Sequence, residues 1–477
     1  MKKVFLWLLV VVMVVSMGEM FFLTGCKTKA TTNAVETTTE AETNAVDTTT
    51  EAETTVAAEG GSIKAFWFQW APAEYLQKIA EQFTAETGIK FELEVTAAET
   101  WVAKYNTEMI AGSDAWDLII ADSQDMGTMA IGKHFVNMTD WIMKNGVDKA
   151  FTPASMTYYA EYPKGSGQYW GVPCEGDSLG WAYRKDLFEN PDNMAAFKAK
   201  YGYDLDVPKD YDMMRDIAEF FHNPDNNFYG IGVYGDNGYD SAAMLAEGLI
   251  WAYGGDLGNY QTYEVDGLLN SKGAIAGLER YRSLFEFNPP GFGNAFFIET
   301  NDAFVGGLVP MSCNFFSFFP GLANPQTNPY ADVTGYFTCP PQKGVDGVER
   351  QVSPLGGMSI SINSYSKKQD LAWKFMEWWI KPETQMAWAE AGGFTCHAEA
   401  LASQEFLDAT PYNPSFKKSM ETLKDFWSVP EYATLLRNFA ENIGPYVTTG
   451  TGSAEAALQK TTDDWTEIFD QAGYLQQ

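Results

Sequence analysis

Apolar residues first gather from Val4 to Met17, directly after Lys2 and Lys3. That run is short for a membrane span and fits a cleaved leader better. From Asn33 to Thr43, and again from Asn44 to Thr54, large apolar positions all but vanish. The two blocks are near copies, with Asp47 standing where the first has Glu36. So little apolar surface cannot offset the entropy of ordering the backbone, so the stretch predicts a disordered, self-repelling spacer.

Regular patterning begins near Ile63. Ile63 to Phe68 is apolar and aromatic, the mark of a buried strand. Pro72 suits a helix start; Tyr75, Leu76, Ile79, Ala80 and Phe83 then share one helical face, and Gly88 is a C-terminal stop. Ile89, Phe91, Leu93 and Val95 alternate with Lys90, Glu92 and Glu94, predicting a half-exposed strand. Trp101, Tyr105 and Met109 recur at helical spacing. Asp117 to Ala121 reads as another buried strand, ending in Asp122 and Ser123. Alternating strands and helices predict an α/β fold with a mostly parallel sheet. Ligands of such sheets bind beyond the carboxyl ends of the strands, which nominates Gln69, Trp70, Asp122 and Ser123.

Composition narrows the partners. A formal charge of −31 repels nucleic acid and anionic lipid headgroups, and makes a strongly anionic guest a poor fit. Beyond Cys26 stand Cys174, Cys313, Cys339 and Cys396, without metal-ligand spacing; disulfides and buried free thiols are both open. No phosphate loop, nucleophile elbow or zinc-protease motif is present, and His134, His222 and His397 are isolated. The expectation is a protein that is not an enzyme and uses no cofactor or metal.

Leu23-Thr24-Gly25-Cys26 resembles the lipobox of bacterial lipoproteins. That resemblance implies a signal peptide over 1–25, lipid on Cys26, and a tether over 26–61. Two or more acyl chains would hold the protein stably at the extracytoplasmic face of the cell membrane.

Four further stretches, in order from about Ser62 to Phe406, carry a second resemblance. They are Tyr75 to Gly88; Trp170-Gly171-Val172-Pro173 through Trp181 to Phe188; Tyr253-Gly254-Gly255-Asp256; and Leu355-Gly356-Gly357 through Asn363, Ser366-Lys367-Lys368, Ala372-Trp373-Lys374-Phe375 and Trp378. Together they resemble the extracellular solute-binding proteins typified by maltose-binding protein, sugar-binding subunits of ABC transporters.

The family implies a two-lobe periplasmic-binding-protein-like fold, with a hinge and an interlobe ligand cleft. The first lobe is expected at 62–174 plus about 338–364, and the second at about 175–337 plus 365–477. Crossings are expected near Cys174–Asp177, Gly335–Pro340 and Asn363–Ser366. The expected guest is a mono- or oligosaccharide, whose apolar ring faces stack on aromatic side chains while carboxylates and amides hold its hydroxyls. Permease subunits of the importer are the expected partners of a monomer.

Glu175 and Asp177 come just after the hinge-like Pro173, where the family often places a ligand-contacting acid. Tyr239, Asp240 and Trp251 precede the Gly-Gly-Asp turn, although core packing suits Trp251 better. Phe315, beside Asn314, stands near the position where many relatives carry a stacking tryptophan. Gly356 and Gly357 allow close backbone approach, and Met358 and Phe394 belong to neighbouring loops. Two alternatives remain open: a secreted glycoside hydrolase, or the same fold binding a polyamine, peptide or other solute.

Overall fold

The computed structural model describes residues 60–238 and 240–476. The leader, the tether up to residue 59 with Cys26, and Tyr239 therefore lie outside the described residues. Among the described residues, no helix is long and apolar enough to cross a membrane.

Strand β1 (Gly61–Phe68) pairs in parallel with β2 (Ile89–Thr96) and β3 (Leu118–Asp122). The helix Ala71–Thr87 joins β1 to β2, opening on Pro72 and ending at Gly88, whose φ of 72° is left-handed. The helix Ala98–Ile110 joins β2 to β3 and buries Trp101, Tyr105 and Met109 along one face. The β-α-β-α-β pattern expected from the sequence holds here.

Strand β4 (Val172–Arg184) runs between two sets of partners. Its first half, Val172–Ser178, lies antiparallel to β9 (Ser353–Ile362); from Leu179 onward it pairs with β5 (Met311–Phe315) and β6 (Thr334–Thr338). The hairpin β7 (Gln342–Lys343) and β8 (Glu349–Arg350) comes after β6, and β10 (Leu423–Lys424) pairs with the first residues of β9. The far end of β9 lies antiparallel to β3. The strand order β2-β1-β3-β9-β4-β5 thus makes β4 and β9 the shared strands between the parallel layer and the second set.

Tyr159 fastens the β4–β9 pair. Its hydroxyl donates to the Gly356 carbonyl at 2.8 Å and accepts the Asp177 N–H at 3.1 Å. Gly357 lies alongside with a φ of 123°; a Cβ there would come within 2.4 Å of the Glu175 carbonyl oxygen.

In the segment Asn363–Ser366, Asn363 donates to the carbonyls of Ser113 and Trp116, and Ser366 donates to Asp117, so this segment clamps the start of β3. The helices Gln369–Trp379 and Pro382–Glu390 pack on β1, on β9 and on the helix Ala71–Thr87. Phe375 stacks on Phe91 at 4.7 Å between ring centroids, which is why this segment returns to the first layer. The four cysteines beyond Cys26 are buried free thiols.

Candidate functional site

The apolar stretch Leu118–Ala121 buries β3 completely, and that carries the next turn of chain into the interior as well. Asp122, Ser123, Gln124 and Asp125 are four successive polar residues, all buried. Such groups need partners, because an unpaired polar atom out of water costs about 1–3 kcal/mol. Asp122 accepts the Gln124 N–H at 3.0 Å, capping the tight turn Ser123–Asp125. Tyr105 donates to Asp125, whose carboxyl burial pushes up to about 6.

Gln124 reaches furthest. Its amide donates to Asp240 at 3.3 Å, joining the end of β3 to the loop that opens the helix Ala242–Ala252. Asp240 is buried and carries a positive φ of 49°, a backbone region that Asp and Asn tolerate better than most residues. Further into that helix, Glu247 lies buried as a lone acid among alanine, leucine and methionine. Asp425, just past β10, completes the group: it is fully buried and accepts the Phe426 N–H at 2.8 Å.

Among the described residues, Lys164 stands closest to these acids. Lys164 is 3.9 Å from Asp425, donates to the Phe426 carbonyl at 3.0 Å, and lies over the rings of Tyr158 at 4.6 Å and Tyr260 at 5.1 Å. Burial is the main force on the acids. It holds Asp240 well above the usual carboxylate range, with Asp122 adding repulsion, and does the same to Glu247, with Asp425 and Asp240 adding to it. Asp425 is raised by burial against the opposing pull of Lys164. Gln124 Oε1, Glu247 Oε1 and Asp425 Oδ2 have no hydrogen-bond donor. The arrangement is a set of buried acceptors turned toward one another, suited to holding hydroxyl or ammonium donors.

Of the residues nominated from sequence, Asp122, Ser123 and Asp240 come together here. Trp70 is half-buried at the start of the helix Ala71–Thr87; it stacks on Phe68 at 4.6 Å, and its indole N–H has no partner. Gln69 is exposed and donates to Glu74 at 3.0 Å.

The remaining nominees are engaged elsewhere. Glu175 is buried where β4 pairs with β9, accepts the Phe394 N–H at 3.2 Å, and is held high by burial and then by Asp177. Asp177 accepts from Ser317 and from the Ser178 N–H. Asn314 commits its amide to Phe297 and Asn301 and accepts from Tyr234, so it ties β5 into its own layer. Trp251 donates to Asp256 at 3.1 Å as a core residue. Met358 lies under Trp67, whose indole N–H points at its sulfur from 3.1 Å, and Phe394 stacks on Tyr412. Phe315 is buried beside Tyr234 and against Gly356.

Burial raises the Asp177 carboxyl to about 7, against the donors from Ser317 and Ser178. A raised folded-state value means the carboxyl contributes stability fully below an unfolded value near about 4 and loses it as pH climbs toward 7. The melting temperature of Asp177→Asn is therefore expected to fall less steeply than that of the native protein between these limits. Parallel slopes by scanning calorimetry would refute this.

Sequence reading missed Gln124, Glu247, Asp425 and Lys164. Glu247 alone carried a signal, as one acid inside Ala-Ala-Met-Leu-Ala-Glu-Gly-Leu-Ile-Trp-Ala. Asp425 comes after Lys424 in an ordinary polar loop far down the chain.

Residues 69–386 match the family described as bacterial extracellular solute-binding protein. The chain is also similar to solved structures. An ABC transporter solute-binding protein from Agrobacterium radiobacter K84, in complex with ribitol, has a TM-score of 0.70 and 21% identity over 86% of this chain and all of that one (100%). Maltose-bound MalE3 of T. maritima has a TM-score of 0.71 at 19% identity, again over 86% and 100% of the two chains. The sugar-binding protein MalE from Xanthomonas citri has a TM-score of 0.71 at 16% identity, over 87% and 98%. These likenesses give the α/β two-lobe fold. No curated protein sequence matches the chain.

Proposed function

As the chain belongs to the family of bacterial extracellular solute-binding proteins, we propose that it captures a mono- or oligosaccharide by hinge closure and delivers it to the permease of an ABC importer. The observation that carries this reading is the Gln124–Asp240 hydrogen bond, which links the end of a parallel-sheet strand to the opposite helix amid buried acceptors. Carbohydrate hydroxyls are donors of the kind those acceptors lack. The ribitol and maltose named with similar structures support the same guest class.

In this reading β4 and β9 are the hinge strands. The first lobe takes residues 62–174 and the segment from about 356 through the helix ending at Glu390, and the second takes the strands β5 and β6 with their helices. A guest that touches both sides favours the closed state by its differential affinity. Lipid on Cys26 would keep the receptor at the outer face of the membrane, beside its permease. The protein acts as a monomer and binds without turnover.

A thermal-shift panel of ribitol, mannitol, tagatose, maltose and related sugars tests this. At a guest concentration 100-fold above Kd, stabilisation of about 2.7 kcal/mol is expected. Chromogenic glycosides should release no product. Unchanged melting with every carbohydrate, or steady product release, would overturn the reading.

A further inference from the structure

We propose that the guest is an amino sugar, its ammonium group held among Asp122, Asp240, Glu247 and Asp425; this rests on reading the cleft as a carbohydrate site. Four carboxylates arrive from three separate parts of the chain, and all four are buried. One close cation, Lys164, faces them, at 3.9 Å from Asp425. The next, Lys424, is already paired with Asp256 at 2.7 Å and lies over the Trp251 ring. Among the described residues the group thus gathers more buried carboxyls than this one close cation can pair, and burial holds Asp240, Glu247 and Asp425 toward their neutral form until a further cation arrives.

The open valences point the same way. Gln124 is not an acid, yet its Oε1 is buried and has no donor, and the same holds for Glu247 Oε1; Asp425 Oδ2 has no hydrogen bond and faces the Lys164 ammonium only from 3.9 Å. All three are acceptors. An ammonium group brings three donors, no acceptor and a positive charge, whereas a hydroxyl brings one donor and two lone pairs that need donors of their own. The adjoining wall already accommodates a cation, since Tyr158 and Tyr260 present their ring faces to the Lys164 ammonium.

Calorimetric titration of matched sets at neutral pH tests this: glucosamine with glucose and N-acetylglucosamine, galactosamine with galactose and N-acetylgalactosamine, and spermidine as a cation without a sugar frame. A charge-assisted bond is worth about 1.5–3 kcal/mol, so at least one amine should bind about 10-fold or more tighter than its two matched partners. That ratio should collapse toward unity in Glu247→Gln. Because it is a ratio within one protein, partial loss of folded variant does not alter it; Asp240→Asn gives a second, independent loss. Neutral sugars binding as tightly as the amines would overturn the inference and leave the carbohydrate reading standing. Binding of spermidine with no sugar would remove the carbohydrate reading and the inference with it, and so would binding of no member of the panel.

Discussion

Replacing Asp240 by asparagine is expected to weaken carbohydrate binding by roughly 10- to 100-fold while leaving the empty protein about as stable as before. Asparagine keeps the shape of the side chain and tolerates the positive φ at this position, so the loop need not move. Its carbonyl can still accept the Gln124 amide. What disappears is one buried charge-assisted acceptor, facing Asp122 and the unpartnered oxygens of Gln124 and Glu247. Burial and like charge already disfavour the ionised form here, so losing the capacity to ionise costs the empty protein little. The two effects separate cleanly: titration calorimetry reads the affinity and scanning calorimetry the stability. Unchanged affinity would exclude Asp240 from the guest's contacts, whereas a large fall in melting temperature would make it a structural residue.

Gly357→Ala should act in the opposite way, costing about 3 kcal/mol or more of stability. Two independent penalties meet at this glycine. Its φ of 123° lies in a region that side-chain-bearing residues rarely adopt. The added methyl would also press within 2.4 Å of the Glu175 carbonyl and 2.9 Å of the Tyr159 hydroxyl. Neither contact is a flexible side-chain end: one is backbone, and the other is pinned by its bonds to Gly356 and Asp177. The strain therefore falls on the place where β4 and β9 pair. Denaturant unfolding with a midpoint equal to the native one would show that this pairing yields more easily than its geometry implies.

The first layer is legible in the sequence because its periodicities are local. Four alternating apolar residues define β2, three large side chains at four-residue spacing define the helix Ala98–Ile110, and Pro72 and Gly88 mark the ends of the helix between β1 and β2. The end of a buried strand nominates Asp122 and Ser123, and the place before the Gly-Gly-Asp turn nominates Asp240; the structure brings the three side chains into one buried polar group. The partners of Asn314, namely Tyr234, Phe297 and Asn301, come from three other segments, so its engagement inside its own layer has no trace in local spacing. Trp251 lies in the core, as its place in an apolar helix implies.

Asp425 is hidden for the same reason as the partners of Asn314. It faces Lys164 and Glu247 only because β10 pairs with the start of β9, a long-range contact with no trace in spacing. The placement of the helices Gln369–Trp379 and Pro382–Glu390 likewise depends on Phe375 meeting Phe91 and Phe83 across the chain.

Central to the proposed function is a hydroxylated guest held between the end of β3 and the opening of the helix Ala242–Ala252. A crystal structure of the protein grown with the carbohydrate that raises its melting temperature most would test it directly. Sugar density is expected within hydrogen-bonding distance of Gln124, Asp240 and Asp425, bridging the two sides. Sugar bound elsewhere, with those three side chains untouched and still turned on one another, would contradict it.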